Sequence, residues 1–192
     1  DMIAGSGSVI SLNDSGIANN TTISDGGQMT VNSGAATVDG LTVEEGASFD
    51  ALENTVLKGD ISIETGATAT GGTVSQGGNA SVSGTINDMT AGNGGTINLN
   101  DSGIANNTTI STGGQMVVNS DTATVDGLTV EGGATFEALQ NTELSGVINI
   151  QADGTATGGT LKDGSTATVS GTINDMIAGS GSVISLNDSG IA

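Results

Sequence analysis

DMIAGSGSVISLNDSGIA occupies residues 1–18, and the same letters return unchanged at residues 175–192. Between them, residues 88–105 read DMTAGNGGTINLNDSGIA, the same phrase with five replacements. The phrases start 87 residues apart, so the chain reads as a tandem array with unit one at 1–87, unit two at 88–174 and the start of unit three at 175–192. Roughly 60 of the 87 aligned positions are identical between the two complete units, which means that both solve one packing problem with the same residues. Units one and three agree with each other better than either agrees with unit two, so two versions of the unit alternate. A chain that opens and closes at equivalent points is expected to be a stretch of a longer array, forming one continuous rod.

A shorter period runs inside the long one. An apolar residue, two arbitrary residues and a glycine recur as Met2-Ile-Ala-Gly5, Ile23-Ser-Asp-Gly26, Val43-Glu-Glu-Gly46, Ile63-Glu-Thr-Gly66 and Val74-Ser-Gln-Gly77. Their spacings are 21, 20, 20 and 11 residues, with 15 more to Met89. A spacing of about 20 residues is a solenoid rung, and the last two phrases read as one longer turn with a displaced phrase. Between the glycines the pattern has period two: Ile10-Ser-Leu12, Leu41-Thr-Val43 and Ile61-Ser-Ile63 return as Ile97-Asn-Leu99, Leu128-Thr-Val130 and Ile148-Asn-Ile150. These predict short strands with one buried face. Glycine density and the lack of a 3.6-residue apolar period argue against helix. Glycine pairs such as Gly26-Gly27 and Gly71-Gly72, together with Asn13-Asp-Ser-Gly16, supply the positive φ that corners need. The fold class is all-β, a parallel β-solenoid, and stacking at about 4.8 Å per rung gives a rod of ~45 Å.

Composition narrows the function. Glycine makes up 33 of 192 residues, proline and cysteine are absent, and the aromatic residues are two Phe. The missing cysteine excludes disulfides and thiolate chemistry. Two lysines against 21 carboxylates give a net charge of −19, which makes nucleic acid or an anionic membrane a poor partner. No apolar run approaches the ~20 residues that cross a bilayer, so no membrane insertion by this segment is expected.

Comparing the two units sorts inside from outside. Ile10, Leu12, Ile23, Val31, Val38, Leu41, Val43, Phe49, Leu52, Leu57, Ile61, Ile63, Val82 and Ile86 reappear unchanged in unit two and are predicted inside. Asp25, Asp50, Val56, Lys58 and Asp60 become Thr112, Glu137, Glu143, Ser145 and Val147, exchanges that a narrow core would not tolerate.

The phrases at residues 20–31 (NTTISDGGQMTV) and 66–74 (GATATGGTV), with their second copies at 107–118 and 154–161, resemble the passenger repeats of self-associating autotransporter adhesins of the antigen 43 and diffuse-adherence type. That resemblance implies a right-handed parallel β-helix, an extracellular or bacterial cell-surface location, and adhesion or aggregation through side-to-side packing of rods. Two departures stand beside it: the alternating 87-residue unit is more regular than the family's, and no translocator barrel is in the sequence.

Catalysis is disfavoured, because acid–base work needs a positioned base and this chain has no His. Glu44-Glu45 is a poor carboxylate pair, since adjacent strand residues point to opposite faces. No cofactor is expected. Calcium is the alternative, through the glycine-rich Asp loops of some solenoids, but the stretch from Gly92 places Ile97 where that loop needs Asp. Asn13-Asp-Ser-Gly16, repeated from Asn100 and Asn187, reads as a capped turn. Asn20-Thr-Thr22 and Asn79-Ala-Ser81 match the N-glycosylation pattern without further support.

The polar stretch at 17–23 (IANNTTI) is unchanged at 104–110. It reads equally as an internal Asn ladder and as a contact surface for a second rod or a sugar. The contact candidates are Asn19, Asn20, Thr21 and Thr22 with Asn106, Asn107, Thr108 and Thr109. The leading functional expectation is a structural, adhesive segment of a surface fibre whose partner is itself, packed laterally. The alternatives are a module for host or matrix glycans or for ice, using Thr68, Thr70, Thr155 and Thr157, and a passive spacer or an end-to-end filament.

Overall fold

The alternating runs form strands wherever a β-branched or aliphatic residue faces inward at every second position. A computed structural model describes residues 1–187 and 189–192; Asp188, part of the third Asn-Asp-Ser-Gly turn, lies outside them. The described residues form 24 strands and no helix. Strands pair in parallel with partners about one coil away, so that Met2 lies beside Thr21, Thr21 beside Leu41 and Leu41 beside Ile61. The coils stack into a β-solenoid of about 10 turns, roughly 48 Å long at the usual strand spacing.

Each coil has three faces. Face a carries Met2–Ala4, then 21–23, 41–43 and 60–63. Face b carries Val9–Leu12, Gln28–Val31, Ser48–Ala51, Thr68–Thr70 and Thr85–Asn87. Face c carries 17–19, 37–39, 56–58, Thr73–Val74 and Thr90–Ala91. Long strands such as Ile17–Ile23 belong to two faces at once, because one residue in the left-handed region bends them: Asn20 at φ 47°, Gly40 at 75° and Gly59 at 68°. Glycine is favoured at the latter two positions, where any side chain would be strained. A Cβ on Gly40 would stand 2.9 Å from Asn20 Oδ1, and one on Gly59 would stand 2.5 Å from Asp39 Oδ1. Other corners are four-residue turns, such as Ser24 to Gly27, where the Gly27 N–H donates to the Ser24 carbonyl at 2.7 Å. These turns also stack, with Gly7 donating to Gly26 at 3.0 Å and Gly26 to Gly46 at 3.3 Å.

The core is a set of axial columns of aliphatic side chains. Phe49 is buried between Met29 and Ala69, and Phe136 is buried in the same way between Met116 and Ala156. A large ring between two smaller neighbours fills a narrow coil without crowding it. Most residues predicted inside are buried, and the exchanged residues face outward as expected, including Val147 at 62% exposure. Leu52 is a correction. It opens the turn after Ser48–Ala51 and is 52% exposed, while Thr55 closes that turn inside and donates its hydroxyl to the Ser33 carbonyl at 3.2 Å. Ile10 and Leu12 are only partly buried, since Val9–Leu12 has a strand partner on one side.

The 87-residue unit does not close on a whole number of coils. Counting each bent strand as two segments, a unit holds about fourteen segments at three per coil, or ~4.7 coils. Equivalent residues therefore move to another face in the next unit. Val9–Leu12 lies on face b. Thr96–Leu99 lies on face a, beside Asn79–Val82. Val183–Leu186 lies on face c, through Thr166–Val169, 147–150 and 128–130. This step also corrects the reading of the 11- and 15-residue spacings as one longer turn. Ile63 closes a segment on face a, whereas Val74 closes one on face c, so the phrase has slipped to another face. The slip is accompanied by compact corners, which shorten the coil from Thr70 to Asn87 to 17 residues.

Candidate functional site

The single-residue bends shape the surface as well as the backbone. A four-residue turn projects outward, while a bend at one left-handed residue turns the chain inside its own outline. The stacked bends at Asn20, Gly40 and Gly59 accordingly floor an open groove of about 370 Å³, with Asn20, Thr22, Asp39, Thr42 and Asp60 on its walls. Unit two builds the corresponding groove, about 390 Å³, over Asn107, Gly127 and Gly146, with Asp126, Thr129 and Asn149 on its walls. The glycines keep the floor clear, and the Asn that opens each column tolerates the left-handed conformation better than other side chains do.

The eight predicted contact residues divide by orientation. Asn19, Asn20 and Asn107 are exposed, while Thr22, Asn106 and Thr109 are half-buried. Thr21 and Thr108 are each 1% exposed and turn inward beside Leu41 and Leu128, which removes them from any surface that a second rod can touch. Their Oγ1 atoms are buried without a hydrogen-bond partner. An unpaired buried hydroxyl costs stability, yet both units retain it beneath the groove floor.

Ladder and contact readings both find residues. Asn106 Nδ2 donates to Asn87 Oδ1 at 2.8 Å, so Asn106 is part of an Asn ladder on face b. Similar rungs join Asn32 to Asn13 at 3.0 Å and Asn98 to Asn79 at 2.7 Å. Asn20 and Asn107 take part in no side-chain hydrogen bond among the described residues, which leaves their amides open to solvent. Sequence comparison missed the retained groove residues Asp39, Thr42, Asp126 and Thr129. The available signal was a Gly or Asn inside an otherwise β-branched run, at residues 20, 40 and 59.

The two grooves differ in charge. In unit one Asp39 and Asp60 are both present, and Lys58 Nζ sits 3.4 Å from Asp39. In unit two Asp126 stands without a second carboxylate on the wall, because Val147 replaces Asp60 and Ser145 replaces Lys58. Lys162 pairs instead with Glu143, away from the groove. No group of three or more His, Cys, Asp or Glu gathers among the described residues.

The two grooves also point in different directions. Asn20 bends the chain from face c to face a, whereas Asn107 bends it from face b to face c. The threonines named for an ice or glycan plane separate in the same way. Thr68 and Thr70 lie on face b, beside Ser48 and Asp50, while Thr155 and Thr157 lie on face a, beside Thr135 and Glu137.

These features define a three-sided β-solenoid with a polar groove recurring once per unit. No known protein family matches the chain, and no curated protein matches it. Among solved structures it is similar to the TibC-catalysed hyper-glycosylated TibA55-350 fragment, with 21% identity over 98% of this chain and 82% of that one and a TM-score of 0.32. At that TM-score the likeness carries no weight for function, and the fold rests on the strand pairing itself.

Proposed function

We propose that this chain is an adhesive, non-catalytic segment of a secreted or surface-attached fibre that associates laterally with copies of itself. The observation that carries the reading is the polar groove, which both units build around the same Asn, Gly, Asp and Thr residues, with Val147 in unit two where unit one has Asp60. Its walls offer amide, hydroxyl and carboxylate groups with few internal partners, chemistry suited to hydrogen bonding with the polar edge of another rod. The bacterial cell surface fits the autotransporter-like sequence phrases.

At a net charge of −19 two rods repel each other at long range. Screening by salt should therefore strengthen a contact made by short-range hydrogen bonds. Sedimentation velocity across protein concentration, with added salt and with calcium, tests this. Oligomers that grow with concentration and strengthen with salt are the expected result. A monomer under every condition would overturn the proposal and leave a spacer or a receptor-binding rod.

A further inference from the structure

The unit of ~4.7 coils turns the groove as well as the core. One unit is one segment short of five coils, so each unit sets its groove back by one face. The phrase that opens each unit shows all three orientations in this chain: Val9–Leu12 on face b, Thr96–Leu99 on face a and Val183–Leu186 on face c. We infer that the array presents the same groove on three sides in rotation, and that the partner, a second copy of the rod, is engaged in more than one direction. This rests on the self-association proposed above. A one-sided rod pairs face to face, and its association ends at a dimer or a flat ribbon. A rod whose grooves point in different directions continues past the dimer into a branched network.

Other surfaces carry less. The Asn ladders are consumed within the chain, the Lys58 and Lys162 ion pairs are exposed, and the apolar residues open to solvent are either isolated or lie on the first and last coils. The grooves combine concavity with recurrence in both units.

Two measurements test the inference, and they fail separately. The first reads orientation without any association. The chain has no cysteine, so paired cysteines can carry spin labels at chosen positions. Val117 lies five coils from Thr22 along one column of face a, through Thr42, Ser62, Ser81 and Asn98. Thr109, the unit-two equivalent of Thr22, lies on face c beside Thr90 and Thr129. Labels at Thr22→Cys and Val117→Cys should stand ~24 Å apart, and labels at Thr22→Cys and Thr109→Cys on the order of 5–10 Å farther, because that vector also crosses the rod. Equal distances for the two pairs would overturn the rotation and leave the self-association proposal intact.

The second measurement reads use of the grooves by sedimentation. Thr42 and Thr129 are half-buried on the groove walls, and a glutamate at either one adds bulk and like charge there. The unmodified chain should form species larger than a dimer. Thr42→Glu or Thr129→Glu alone should stop assembly at the dimer, and the double variant should be monomeric. Assembly that ends at a dimer in the unmodified chain, or that either single variant abolishes, overturns engagement on more than one side. A monomer throughout, with the expected label distances, overturns the self-association reading and with it the partner named here.

Discussion

Thr96–Leu99 and Val9–Leu12 are the same strand in two units, yet Ile97 and Leu99 are fully buried while Ile10 and Leu12 are partly exposed. They also lie on different faces, a and b. Face does not explain the difference in burial. Thr96–Leu99 has Asn79–Val82 on one side and Gln115–Val118 on the other, whereas Val9–Leu12 has Gln28–Val31 alone among the described residues. Burial in this molecule comes from the coils stacked above and below, and the three faces are interchangeable as hosts. That is the behaviour of a one-dimensional array, in which stability is a sum over neighbouring coils.

The strongest way to break this comparison uses the two phenylalanines. Phe49 on face b and Phe136 on face a have equivalent neighbours, a Met on one side and an Ala on the other. Phe49→Ala and Phe136→Ala should each cost about 3–5 kcal/mol, since a narrow coil cannot collapse into the cavity. Urea unfolding should place the two variants within about 1 kcal/mol of each other, within the spread expected for one substitution at two similar sites. A larger gap would mean that the faces are not equivalent.

Next in size is the contrast between Ile97→Ala and Ile10→Ala. The first removes a side chain packed from both sides and should cost about 2–5 kcal/mol; the second removes one that is already partly solvated and should cost less than half as much. Equal losses would show that residues 1–12 pack more fully than their single strand partner provides.

A smaller effect tests the groove floor. Gly40 and Gly127 both have φ near 75°, and a Cβ there would meet Asn20 Oδ1 at 2.9 Å or Asn107 Oδ1 at 2.8 Å. Gly40→Ala and Gly127→Ala should each cost about 1–2 kcal/mol from the left-handed conformation, with a little more from the displaced amide. A loss near zero at either site would show that the bend relaxes, and that the groove is not held in shape by its backbone.

How much of this was legible in the sequence follows from what each signal depends on. Period-two alternation and glycine corners are local, so the strands and nearly all core residues could be read directly. The rotation of the unit depends on counting corners, and three corners in each unit are single residues inside a strand run. Asn20, Gly40 and Gly59 lie inside what looks like continuous strand, so a coil count from glycine phrases alone passes over them. The contact candidates suffered from the same blindness. Matching Asn19 to Thr22 with Asn106 to Thr109 pairs positions whose neighbours on the following coil agree, Asp39, Leu41 and Thr42 with Asp126, Leu128 and Thr129, but that match contains no information about direction. Nor does it reveal that Thr21 and Thr108 occupy inward positions that register with leucines on the adjacent coil.

Leu52 marks the limit of reading burial from retention, and gives the smallest expected effect. It and Leu57 are both unchanged between the units, as Leu139 and Leu144, but Leu57 and Leu144 are 0% exposed whereas Leu52 and Leu139 are 52% and 45% exposed. The retained feature at Leu52 is its carbonyl, which accepts the Thr55 N–H at 2.9 Å and closes the turn; Leu139 does the same for Thr142 at 3.0 Å. A backbone group serves that role with any side chain attached. Leu52→Ser should therefore shift stability by less than about 0.5 kcal/mol, as surface substitutions usually do, against about 2–5 kcal/mol for Leu57→Ala. Should Leu52→Ser leave folding untouched but weaken self-association, the exposed leucine would belong to the contact surface, and its retention in both units would have a cause outside the fold.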